Sequence, residues 1–144
     1  MRAMDTGRIA ALIGDVRAGI NDFLVRELKR RGIEDLAPSH GAIMAHLFAN
    51  REVRMKDLAK AVRRDKSTIT ALVGKLVRGG YVRRENGLED QRTVYVRLTR
   101  KGEDLESVFR EISDELLRRT WRGIDRTEQE EVMRLLQKIE ANFG

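Results

Sequence analysis

The sequence predicts a mainly α fold carrying one small β-hairpin, and three observations lead to it. Apolar residues recur at three- and four-residue intervals through most of the 144 residues. The period changes only between Tyr81 and Leu98, where β-branched and aromatic residues crowd two short runs. That interval is bracketed by Gly79-Gly80, which stops a helix, and by Thr99, which can open one.

Taken in order, Ile9, Leu12, Ile13, Val16, Ile20, Phe23, Leu24 and Leu28 form a single apolar stripe on a helix over 7–31. The basic run Lys29-Arg30-Arg31 followed by Gly32 suits its C-terminus. After Pro38, Ser39 is placed to cap a second helix that carries Ile43, Met44 and Leu47 to Asn50. Val53 sits in a short extended piece, and 55–62 forms a third helix with Leu58, Ala59 and Val62 facing inward. Arg63-Arg64 makes a turn and Asp65 caps a fourth helix, whose Ile69, Leu72, Val73, Leu76 and Val77 keep the helical spacing as far as Gly79. Two strand-like runs, Tyr81–Glu85 and Thr93–Leu98, flank a polar loop that begins with Asn86-Gly87. Thr99 then caps a helix over 103–122, and a last helix spans 127–142.

Two short helices joined by a tight turn and followed by a hairpin make a winged helix-turn-helix core, predicted over 35–101. The flanking segments, 7–31 and 103–143, hold more apolar residues than so small a core can cover. They are expected to form dimerisation helices, with Phe109, Ile112, Leu116, Trp121, Leu135, Leu136, Ile139 and Phe143 as candidates for an intermolecular bundle. The whole chain is expected to be one domain, since 144 residues suit a single sizeable core.

Charge narrows the function. Net charge is +6, but fifteen Lys/Arg stand against six Asp/Glu between Arg51 and Lys101, while the remaining residues hold fourteen against seventeen. A basic middle third is the pattern required of a surface that neutralises phosphates. The absence of cysteine excludes disulfides, thiolate zinc sites and thiol catalysis. His40 and His46 are six residues apart and do not share a helix face as an i, i+4 metal pair would. With no phosphate-binding glycine loop either, no enzyme, cofactor or metal is expected. No apolar h-region follows Met1–Arg8 and no run reaches 18 apolar residues, so a cytoplasmic, non-membrane protein is expected.

At the wing the residues become specific. Asp90-Gln91-Arg92, with Leu98-Thr99 beginning six residues after Arg92, is similar to the D-x-R…LT signature of the MarR family of transcriptional regulators. Leu58-Ala59, Thr68-Ile69-Thr70, Leu76 and Gly80-Tyr81-Val82-Arg83-Arg84 extend the resemblance over nearly the whole chain. Gln91 departs from it, because many members carry a second arginine there. The resemblance implies a homodimer acting as a regulator, a repressor by expectation, on a pseudo-palindromic operator. It also implies a small aromatic or lipophilic effector bound between the dimerisation helices and the DNA-binding lobe. Phe23, His40, Met44, His46 and Phe48 are the residues expected to border such a pocket, with core packing as the other role of the apolar ones.

Within that frame, helix 66–75 is expected to enter the major groove of double-stranded DNA. Lys66, Ser67, Thr68 and Thr70 would face base edges, and capping is the other role open to Ser67 and Thr68. Lys75, Arg63, Arg64, Arg83 and Arg84 are candidates for phosphate, with Arg97 divided between phosphate and solubility. Arg92 is expected in the minor groove, with Asp90 pairing to it or to another basic residue and so orienting the wing. A winged helix that binds protein or RNA without operator specificity is the alternative, because fold alone does not fix function.

Overall fold

The structure is a computed structural model that describes residues 3–144. They fall into two compact units, one ending at Ile112 and the other spanning Ser113–Gly144.

The first unit opens with α1 (Ile9–Arg30). Gly32, at φ +77°, turns the chain so that the Ile33 N–H reaches back to the Leu28 carbonyl at 2.9 Å, the left-handed stop that glycine favours. The apolar stripe of α1 divides along its length. Phe23 and Leu28 are buried, whereas Ile9, Leu12, Ile13 and Val16 lie exposed.

The start of the next helix corrects the expectation for Ser39. Pro38 holds Ala37 extended and opens a 3-10 turn, Pro38–His40, and α2 (Gly41–Asn50) follows without a side-chain cap. His40 closes that turn by accepting the Ala37 N–H on Nδ1 at 3.0 Å. Beyond α2 come β1 (Glu52–Arg54), α3 (Met55–Ala61) and α4 (Lys66–Arg78), then β2 (Val82–Asn86) and β3 (Val94–Leu98).

The hairpin β2–β3 pairs Val82 with Leu98 and Asn86 with Val94. The short extended piece at Val53 becomes a third antiparallel strand, with Val53 opposite Val96, in the order β1-β3-β2. Val82, Val96 and Leu98 turn into one core with Leu36, Ile43, Met44, Leu47, Leu58, Ile69, Val73, Leu76 and Tyr81. Burying these side chains together is the main favourable term holding α4 and the wing to the rest of the unit.

Thr99 caps as expected, but the helix it opens is broken. Its hydroxyl accepts the Gly102 N–H and donates to the Gly80 carbonyl, so α5 (Arg100–Glu103) is fixed against the start of the wing. A Cβ on Gly102 would lie 2.1 Å from the Tyr81 carbonyl oxygen, a contact only glycine permits. α6 (Glu106–Thr120) then starts anew. Phe109 meets Phe48 edge to face with ring centroids 5.6 Å apart, and Ile112 is 4% exposed. Both therefore pack within their own chain, Ile112 fully and Phe109 in part.

In the second unit, α7 (Arg126–Ala141) starts at a reciprocal cap. Asp125 accepts the Glu128 N–H at 2.9 Å while Glu128 accepts the Asp125 N–H at 3.2 Å. Leu135 and Leu136 remain 43% exposed and Phe143 88% exposed. Leu116, Trp121 and Ile139 are half-buried.

Candidate nucleic-acid interface

The recognition element is held from its first turn. Asp65 accepts the Thr68 N–H at 2.7 Å and the Ser67 hydroxyl at 2.8 Å. These donors, the Thr68 amide foremost, hold the Asp65 carboxyl below its usual range, so it stays an anion at the positive end of the helix. Arg63, at φ +53°, supplies the left-handed residue in the tight turn between α3 and α4. Ile69, Val73 and Leu76 lock one side of α4 into the core, leaving Lys66, Ser67, Thr70, Ala71, Lys75 and Arg78 exposed.

The exposed hydroxyls are already engaged. Thr70 donates to the Lys66 carbonyl at 2.8 Å and Ser67 donates to Asp65, so each turns outward only acceptor lone pairs, with a methyl group in addition on Thr70. Such a surface suits a base edge that offers an amino group, or a thymine methyl. Thr68 is half-buried and belongs mainly to the cap. Ala71 and Arg78, absent from the expected contacts, extend the same face. Their spacing of four and eleven residues from Ser67 is the signal for them in the sequence.

The cations of the sheet differ in what they face. Arg83 lies 3.6 Å from Glu85 and Arg97 lies 3.5 Å from Glu52. Strand alternation sets Arg84 on the face opposite Arg83. Both ion pairs are exposed, so their attraction is weak and a phosphate can displace the carboxylate.

At the wing tip the loop closes on itself. The Gly87 N–H donates to the Thr93 carbonyl at 2.9 Å and the Thr93 N–H to the Asp90 carbonyl at 3.1 Å. The Asp90 carboxylate accepts the backbone N–H of Arg92 at 2.9 Å. Asp90 thus shapes the loop through the main chain of Arg92, leaving the guanidinium exposed. A Cβ on Gly87 would lie 2.8 Å from the Asp90 carbonyl oxygen, which explains glycine at that position.

The five residues expected around an effector pocket do not converge. Met44 is fully buried in the core, Phe48 packs on Phe109, and Phe23 is buried. His40 borders a hollow of about 460 Å³ shared with Asp35, Lys75 and Arg78. The imidazole is 1% exposed and its Nε2 has no hydrogen-bond partner. Burial, foremost, holds its pKa below the ordinary value. A separate hollow of about 400 Å³ is lined by Arg17, Val25, Pro38, Ile43, Arg64 and Leu72, none of which the sequence reading placed in a pocket.

Comparison with known proteins places this geometry. Residues 36–102 match the family model described as "Winged helix DNA-binding domain", which coincides with the segment from Leu36 to the end of the wing and Gly102. Residues 36–102 therefore form a winged helix, and the chain as a whole shares the fold of solved MarR-type regulators. The chain superposes on the S. aureus MepR–DNA complex with a TM-score of 0.86 at 22% identity, covering 98% of this chain and 100% of that one. A mutant E. coli MarR complexed with operator DNA superposes with a TM-score of 0.81 at 20% identity, covering 94% and 99%. In sequence, the uncharacterized HTH-type transcriptional regulator YkoM of Bacillus subtilis is 26% identical over 95% of this chain and 85% of its own length. The HTH-type regulator SarZ of Staphylococcus haemolyticus is 29% identical over 57% of this chain and 56% of its own. Both of these relatives are HTH-type transcriptional regulators by name.

Proposed function

We propose that this protein is a DNA-binding transcription regulator, a cytoplasmic homodimer that represses from a pseudo-palindromic operator. The observation that carries the reading is α4 itself, capped at Asp65, anchored by Ile69, Val73 and Leu76, and showing an unobstructed polar row to solvent. Its N-terminal turn, with Lys66, Ser67 and Thr70, faces base edges in the major groove, while Lys75, Arg63, Arg64, Arg83 and Arg84 approach phosphates. Arg92 enters the adjacent minor groove from a loop whose shape Asp90 sets.

Dimerisation supplies the second half-site, about one helical turn (~10 bp) away. It is supported by the exposed apolar residues of α1 (Ile9, Leu12, Ile13 and Val16) and of α7 (Leu135 and Leu136). Among the described residues no helix is long and apolar enough to cross a membrane. An aromatic or lipophilic effector would occupy the hollow beside Val25, Pro38, Ile43 and Leu72, and would act by favouring one spacing of the two lobes over another.

The test is fluorescence anisotropy with a duplex selected from a random-sequence library, set against a scrambled duplex of equal length. Tight, selective binding to the selected duplex is expected. Equal affinity for both duplexes, or preference for RNA, would instead favour a winged-helix module without operator specificity.

A further inference from the structure

The described chain exposes thirteen large apolar side chains. Twelve lie at the N-terminus and α1 or along α6, α7 and the C-terminal end, where a second copy can cover them. The remaining one is Leu88, fully exposed and alone on the wing loop. Hydration of an uncovered leucine is unfavourable, and its loop is not left slack. Gly87 and Thr93 close it, and Asp90 holds the turn before Arg92. A pinned loop that carries a leucine and an arginine four positions apart in sequence presents two chemistries on one narrow projection.

The minor groove accepts both. Its floor is formed by base-pair edges and its walls by deoxyribose, and apolar side chains commonly contact the walls or wedge between base steps while arginine reads its potential. We propose that Leu88 is a minor-groove contact residue that packs on deoxyribose and base edges beside Arg92 and sets the preference for deformable flanking steps. This rests on the DNA-binding reading above. Glu89, next in the chain, is exposed. Its carboxylate is repelled by phosphate and groove alike, so it must turn to solvent when Leu88 enters the groove. Flexible pyrimidine–purine steps such as TA yield most easily to such a contact, so the residue would confer specificity without hydrogen bonding.

The experiment uses the full-length protein, a library-selected duplex, and Leu88→Ala, Leu88→Met and Arg92→Ala. Leu88→Ala is expected to weaken binding about tenfold while leaving the slope of log affinity against log salt unchanged, since no counterion is released by an uncharged group. Leu88→Met retains binding, and the loss in Leu88→Ala shrinks when flanking TA steps are replaced by GC. Arg92→Ala lowers the slope instead. Wild-type affinity in Leu88→Ala, with the unmodified protein still selecting its duplex, overturns the role of Leu88 and leaves the DNA-binding reading intact. A lowered salt slope in Leu88→Ala also overturns direct contact, because the leucine would then act only by placing Arg92. If the unmodified protein does not select a duplex at all, the underlying reading fails first. Loss of a protein partner without change on DNA assigns Leu88 to a protein interface and overturns the proposal as well.

Discussion

His40 shows how one side chain ties a turn to the recognition helix. Its Nδ1 accepts the Ala37 N–H, so the neutral ring must carry its proton on Nε2, which is buried and has no partner. Protonating Nδ1 would break the bond to Ala37 and place a cation in a buried site; desolvation foremost, with Lys75 of α4, outweighs the opposing pull of the Ala37 and Leu72 backbone and of Asp35. The folded state therefore binds this proton less readily than the unfolded chain, and the histidine's contribution is complete above about pH 6.5 and declines as pH falls below it. Melting temperature should drop between about pH 7.5 and about pH 5.5, and His40→Gln should flatten that drop. A parallel drop in the variant would assign the pH effect to other groups. On α4, Thr70→Ala removes a methyl and an acceptor from the proposed base-facing row. It should cost about 1–3 kcal/mol on a selected duplex and much less on unrelated DNA, as read by competition anisotropy. Equal losses on both would move Thr70 from base contact to general support of the helix.

At the scale of elements, the contact of α5 with β3 and with Tyr81, at the entry to β2, sets the attachment of the wing. Gly102→Ala would drive a methyl into the Tyr81 carbonyl, so α5 must shift from the strand it abuts. A loss of about 1–3 kcal/mol in denaturant unfolding is expected, the usual cost of overpacking. A variant of unchanged stability would mean that α5 is not held against β3 and Tyr81. The same elements show what the sequence makes legible. Asp65 and Thr99 were readable as caps because an oxygen-bearing side chain stood directly before a helical period. Ser39 met the same description, but the proline before it imposed a 3-10 turn and the backbone bond went to His40. Pairing of β1 with β3 was hidden because three residues carry almost no periodicity and their partner lies some forty residues away. The break between α5 and α6 was equally silent, since Leu105 and Phe109 continue a helical spacing across it. At the candidate site the exposure of Lys66, Ser67, Thr70, Lys75 and Arg92 was readable, whereas Ala71 and Arg78 were missed and Thr68 is half-buried. The internal bonds of Ser67 and Thr70, the packing of Phe109 on Phe48, and the residues that line each hollow depend on tertiary distances that spacing does not encode.

On the scale of the molecule, the question is what covers the apolar faces and what that does for DNA. Ile9, Leu12, Ile13 and Val16 recur along one side of α1, and Leu135, Leu136 and Phe143 remain open at the other end of the chain. A run of apolar residues repeating at helical spacing over two turns is the pattern of a helix interface. Sedimentation at micromolar concentration should therefore show a dimer. Replacing Leu135 and Leu136 with glutamate introduces charges where a second copy is expected, and should give monomer without unfolding the winged helix, because both positions are surface-exposed in the single chain. The consequence for DNA is quantitative. A dimer that makes about 6–10 phosphate contacts should lose about 10³–10⁵ in affinity between 50 and 200 mM salt. The dissociated variant, holding one half-site, should show about half that slope on the same duplex, with its preference for base sequence reduced but still present. An unmodified chain that sediments as a monomer would overturn the two-half-site reading. A charged variant that stays dimeric would move the interface off the C-terminal helix and leave the N-terminal half of α1 as the face to change next.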